Sequence, residues 1–180
     1  MTPEREASLR TLADALVRNP RASMEDLAQA LGVSRATLHR LVSSRDDLIR
    51  ELSSHAVGAC TRTFTEIDLQ DGPADQAIMR LVQALTPNTS FYLFLRDATD
   101  LSHALECEWE RDRSKLTQVF QRGQEDGIFR VDMSARWMVD ALGGLMHAAA
   151  EAAHEGRLAT ADMNDAICKV LLDGLRRKPN

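Results

Sequence analysis

The segment from Met24 to Leu52, MEDLAQALGVSRATLHRLVSSRDDLIREL, most constrains the fold, because it sets two short apolar stripes on either side of one glycine. Leu27, Ala28 and Leu31 recur at helical spacing and predict one buried face. Gly32 can then take the left-handed conformation that stops a helix at little steric cost. Gly32-Val33-Ser34 is the expected turn, Ser34 the expected N-cap of a second helix, and Leu38, Leu41 and Val42 its expected inner face. Arg35, Ala36, Thr37, His39, Arg40 and Ser43 remain outward. Between Val33 and Arg45 there are three arginines, one histidine and no carboxylate, in a chain of formal net charge -5. So local a reversal of sign points to a polyanionic partner.

The rest of the chain reads as helix. At 180 residues it can bury a substantial core, aromatics make up only 4%, and no run alternates apolar and polar residues at the strand period. An all-α protein is expected, with an N-terminal three-helix domain over residues 1–50 and a second helical domain over 51–180. Charge divides the same way. Residues 1–50 hold eight Arg and seven Asp or Glu, net +1, which leaves 14 basic and 20 acidic residues, net -6, for 51–180. The first helix is expected from Pro3 to Arg18, with Leu9, Leu12, Ala13, Leu16 and Val17 inward. Ser23 with Asp26 three residues on predicts a capping box, and Arg45-Asp46 opens a fourth helix running past Cys60. No apolar stretch reaches membrane-spanning length, the start MTPEREASLR has no apolar signal core, and Cys60, Cys107 and Cys168 are scattered. A cytoplasmic protein without disulfides, membrane contact, metal or cofactor is expected, its thiols packing as small apolar groups or, for one of them, sensing redox state.

Gly32, Val33, Ser34, Thr37, Leu38 and the basic Arg45 resemble the helix-turn-helix domain of TetR-type transcriptional regulators. The run from Ser34 to Arg40, with Ser44-Arg45-Asp46-Asp47-Leu48 after it, is similar in particular to NfxB-type repressors of multidrug efflux genes. The resemblance implies a dimeric repressor that reads a palindromic double-stranded DNA operator and is released by a small apolar or cationic effector. It places Ser34, Arg35, Ala36, Thr37, His39, Arg40 and Arg45 at the DNA, with Arg35 and Arg40 near base edges or phosphates and Arg45 anchoring the backbone. Two positions depart from the family pattern. His39 stands where an aromatic usually presses on the DNA backbone, and Val42 where a Phe is usual; His39 can still donate to a phosphate, more strongly when protonated.

The second half offers two groups of residues. Met79, Phe91, Tyr92, Phe94, Trp109 and Phe120 are candidates to line an effector cavity, although aromatic and Met side chains at helical spacing equally make plain core. Arg136–Glu155 interleaves small residues with Trp137, Ala141, Gly144, Leu145 and Ala148, and Ala161–Arg177 carries Ile167, Val170, Leu171 and Gly174. Paired across a two-fold axis, these two helices would form a four-helix dimer interface. The stretch Gly123–Asp132 resembles the connector into the dimer helices of the same family. The alternatives are a helical interaction module, or an enzyme, without DNA binding. The sequence has no His-x-x-x-His, Cys-x-x-Cys, phosphate-cradling glycine loop or Gly-x-Ser-x-Gly. His103 with Glu106 or Glu110 is the spacing a metal could use, but Glu106, Glu108, Glu110 and Asp112 among Arg111 and Arg113 read best as a solvated ion-pair face.

Overall fold

A computed structural model describes residues 2–97 and 101–177, and among them the chain forms nine α-helices. The first four are α1 (Pro3–Arg18), α2 (Met24–Ala30), α3 (Arg35–Leu41) and α4 (Arg45–Glu66). They are followed by α5 (Ala74–Leu85), α6 (Thr89–Asp97), α7 (His103–Glu125), α8 (Ala135–His154) and α9 (Met163–Leu175). Capping explains several of the boundaries. The side chains of Thr2, Ser23, Ser34, Ser44 and Ser134 each accept from a backbone N–H three residues on, so five helices begin on a hydroxyl that satisfies an otherwise orphaned donor. At the end of α7, Gly127 at φ +72° lets Ile128 donate back to the Gly123 carbonyl at 2.8 Å. The segment expected over Ser90–Leu101 begins one residue earlier, after a 3₁₀ turn at Thr86–Asn88, and its residues 98–100 lie outside the described residues.

One continuous cluster of buried apolar side chains runs from Leu9 to Leu175, so the boundary expected near residue 50 is no break in packing. It falls inside α4, whose 22 residues start among the first three helices and bury Leu52, Ala56, Val57, Cys60 and Phe64 further on. Helix α1 packs along α6, and α8 lies between α7 and α9. Asp112 of α7 is almost fully buried, yet it accepts from the Thr61 hydroxyl at 2.6 Å and from Lys115 at 2.9 Å. Paired in this way, a buried carboxylate is tolerated and ties α4 to α7. The connector after α7 is held at both ends of the chain's second half. Arg130 donates to the Leu175 carbonyl at 2.8 Å and Arg177 to that of Ile128 at 2.9 Å, while Phe129 is buried against Phe120. No helix among the described residues is long and apolar enough to cross a membrane.

Candidate nucleic-acid interface

Two seven-residue helices meeting at Gly32 build the site. The Ser23–Asp26 capping box closes in both directions: Asp26 N–H donates to the Ser23 hydroxyl at 3.2 Å, and Ser23 N–H donates to the Asp26 carboxylate at 2.8 Å. That backbone donation, ahead of the hydroxyl's, holds the Asp26 carboxyl below its usual range. Gly32 sits at φ +67° and its N–H donates to the Gln29 carbonyl at 2.9 Å, while Val33 donates to Ala28 at 3.0 Å. A side chain here would be strained by the positive φ and not by a clash, since an added Cβ meets nothing within 4 Å.

Beyond the turn, Ser34 caps α3 through Thr37 N–H at 3.1 Å. Its hydroxyl also lies 2.9 Å from that of Thr37, which accepts from Arg40 at 3.2 Å. Thr37 therefore joins the cap to an arginine one turn later and presets the side-chain row. Leu38 is buried, anchoring the helix, and Val42 folds in behind it as the extended C-cap. Leu41 departs from expectation. It is 50% exposed, because a two-turn helix meets its domain along one narrow line through Leu38 and Val42, and position 41 falls beside that line. Ser34, Arg35, Ala36, His39 and Arg40 are exposed and Thr37 partly so, which gathers six of the seven expected residues on one outward face. Arg35 and His39 have no partner among the described residues.

Arg45, the seventh, is placed differently. Its guanidinium turns inward, donating to the carbonyls of Pro20 at 2.7 Å and Ala22 at 3.3 Å. It clasps the α1–α2 loop onto the start of α4, a contact that charge counting could not distinguish from an outward cation. Nearby, Arg5 pairs with Glu51 at 2.5 Å and joins α1 to α4.

A model of winged helix-turn-helix DNA-binding domains matches residues 9–44. That segment spans most of α1 through the end of α3, and α4 follows with no strand between. The HTH-type transcriptional regulator NfxB of Pseudomonas aeruginosa is 30% identical over 174 residues, covering 94% of this chain and 92% of its own. The crystal structure of the TetR-like transcriptional regulator LfrR from Mycobacterium smegmatis in complex with proflavine superposes with a TM-score of 0.63 at 26% identity, over 97% of this chain and 98% of that one. The chain belongs to the TetR-type transcriptional regulators. The ketosteroid transcriptional regulator KstR2 of Mycobacterium tuberculosis has the same fold, with a TM-score of 0.67 at 14% identity over 99% of this chain and 97% of its own. This TetR-type regulator is thus a DNA-binding protein related to NfxB.

The second half of this TetR-type protein distributes the expected cavity residues rather than gathering them. Phe91 packs edge-on to His55 at 5.0 Å, Tyr92 edge-on to Trp109 at 5.4 Å, and Phe120 against Phe129 at 5.5 Å. Phe94 is buried on the same helix as Phe91 and Tyr92. Met79 does not join them: it is 46% exposed and faces a groove between α5 and α9 beside Asn164 and Cys168. Trp109 borders a cavity of about 590 Å³ whose other walls include Arg96, His103, Cys107 and Arg113. Burial pushes the Tyr92 phenol up to about 12 and the Cys60 thiol up to about 12, so neither ionises near neutrality and Cys60 is an inert thiol.

On α8 and α9, Trp137 and Val170 are 58% and 60% exposed, Gly144, Ala148 and Gly174 are exposed, and Ala141 and Leu145 are half-buried. Ile167 and Leu171 point the other way and are buried within the protomer. An outward apolar row therefore exists on both helices, narrower than the nine expected residues.

Proposed function

We infer that the protein is a repressor that binds a palindromic operator as a homodimer and is released from it by a small apolar or cationic effector, with efflux genes as its targets. The observation that carries this reading is the carboxylate-free face Arg35–Thr37–His39–Arg40, held outward by the Ser34 cap and the buried Leu38. Two such faces related by a two-fold axis meet successive major grooves about one helical turn apart. The outward row of Trp137, Ala141, Gly144, Leu145 and Ala148, with Val170 and Gly174, supplies the self-complementary surface such an axis needs. For the effector, support comes from LfrR, a relative whose structure holds the planar cation proflavine. NfxB-type likeness in α3 and the start of α4 supports efflux genes as the target.

Binding of the purified protein to its own upstream intergenic DNA across a salt series tests this. The wild type is expected to prefer a palindromic site over random DNA. The Arg35→Ala/Arg40→Ala variant removes four cations per dimer, so its salt slope should fall by up to about 3.6, at about 0.9 per lost phosphate contact. Binding no better than to random DNA, with an unchanged slope in the variant, would refute α3 as the reading element and favour a helical interaction module.

A further inference from the structure

A cleft of about 550 Å³ lies between α1, α6 and α8, within the range of roughly 300–1,000 Å³ typical of small-molecule sites. Its floor is apolar, with Val17 from α1, Leu93 from α6 and Met163 from α9. Its rim is charged, with Asp14 and Arg18 from α1, Glu151 and the imidazoles of His147 and His154 from α8, and Glu155 just after α8. Two of the three carboxylates are matched by guanidinium groups: Arg18 pairs with Asp14 at 2.6 Å, and Arg157, just outside the cleft, pairs with Glu155 at 2.6 Å. Glu151 has no such partner among the described residues. The cleft thus carries one negative charge in excess over an apolar floor. It also holds a polar atom in want of a partner, for the Nδ1 of His147 is shut off from solvent and bonds to nothing in the protein.

We propose that this cleft is a binding site for an organic monocation with an apolar body, and that its occupancy controls how the reading helices are held. The inference rests on the reading of the protein as an effector-released repressor. It moves the effector from the aromatic interior, where Phe91, Tyr92 and Phe120 are consumed in pairwise packing and only Trp109 borders a cavity, to the seam between the DNA-binding helices and the rest of the fold. The cation's charge sits against Glu151 and Asp14, and its apolar body lies on Val17, Leu93 and Met163. Arg18 is what occupancy disturbs. Its guanidinium reaches across from α1 to α8, with Nη1 2.8 Å from the Nε2 of His154, and it holds Asp14 as well. A second cation beside Asp14 competes for that carboxylate and repels Arg18, so the strap from α1 to α8 opens. Because α1 belongs to the DNA-binding helices and α8 carries the outward row proposed for dimerisation, loosening that strap changes the spacing of the two α3 helices and lowers operator affinity. By linkage, operator DNA lowers the affinity for the cation by the same factor.

Proflavine is the probe, titrated by fluorescence against the full-length protein without DNA. Glu151→Gln combined with Asp14→Asn should weaken its binding about tenfold, two partly exposed charge contacts having been removed. Arg18→Ala should tighten it, since the competing guanidinium is gone, whereas Trp109→Phe should leave it unchanged. Release of labelled operator by proflavine is then compared between wild type and the Glu151→Gln/Asp14→Asn variant, intercalation into the operator being common to both. Binding by that variant equal to wild type would overturn the cleft as the site, and operator release surviving in the same variant would show that the effector reading itself still stands. No binding of proflavine to the wild type would overturn the proposal outright.

Discussion

Gly144 offers a single-atom test of the proposed dimer surface. An added Cβ meets nothing within 4 Å there, and the residue lies inside α8. In an isolated protomer, Gly144→Ala removes only the entropic penalty of a helical glycine, a gain of about 0.5–1 kcal/mol. For a chain of this size that raises Tm by about 1–4 °C. At an isologous interface the same methyl appears twice, and each copy wedged into close helix packing costs about 1–3 kcal/mol. The helix gain is common to monomer and dimer and cancels from association, so dimerisation should weaken by about 2–6 kcal/mol, or about 30-fold to 10⁴-fold in Kd. Sedimentation equilibrium gives the dimer affinity, and urea unfolding below the wild-type dissociation constant gives the protomer stability. Gly143→Ala is the contrasting control. Its Cβ would lie 3.2 Å from the Tyr92 hydroxyl and 3.5 Å from Arg96 within the same chain, so it should disturb the protomer and spare association. A Gly144→Ala protein with higher Tm and unchanged dimer affinity would refute close helix approach at this position.

Gly123→Ala should destabilise the fold by about 1–3 kcal/mol despite better helix propensity, because its Cβ would fall 2.9 Å from that of Ala74 and inside the buried Phe129 ring; thermal unfolding checks this, and an unchanged Tm would show that Phe129 can move aside. Ser34→Ala removes both the cap of α3 and the hydroxyl beside Thr37, so about 1 kcal/mol of stability and part of the operator affinity should be lost together, as unfolding and anisotropy titrations would show. His55 gives a pH signature. Its burial, with Arg10 and Arg62 reinforcing and Glu6 and Glu51 opposing, holds its pKa below 6.5, so the unfolded chain binds the proton more readily than the folded one. Its contribution should be constant above about pH 6.5 and should decline as pH falls from there toward the folded value, and His55→Gln should flatten that part of the stability–pH curve relative to wild type.

What the sequence made legible, and what it hid, divides along one physical line. Local rules place the ends of elements well: the hydroxyls of Ser23 and Ser34, the left-handed glycines 32 and 127 and the Pro3 start all mark boundaries where the chain itself satisfies the orphaned backbone groups. The exposure of Arg35, Ala36, His39 and Arg40 on α3 is legible for the same reason, since one buried Leu38 fixes the direction of every neighbour on a short helix. Packing partners are another matter. Periodicity says which residues share a face but not which of two apolar faces meets the chain's own core. On α9, the row of Ile167 and Leu171 lies only about 60° around the helix from that of Val170 and Gly174, and both rows are apolar; only the fold turns the first pair inward and the second outward. Met79 on α5 is the same case. Phe129 stands alone in a polar connector, with no apolar periodicity to mark it, although its ring is fully buried over Gly123.

Long charged side chains are the least legible of all, because their reach exceeds the spacing of the elements. Arg35 and Arg45 stand ten residues apart in one acid-free run, yet one points outward and the other closes the α1–α2 loop. Arg45 holds the loop before α2, Arg5 holds α1 to α4, and Arg18 reaches α8, so three of the eight arginines in the first 50 residues are engaged in contacts between elements of the fold. Substituting such an arginine should alter operator binding through geometry, whereas Arg35 should act through charge. The two kinds separate experimentally, because loss of a phosphate contact lowers the salt slope while loss of a clasp lowers affinity at every salt concentration with the slope retained.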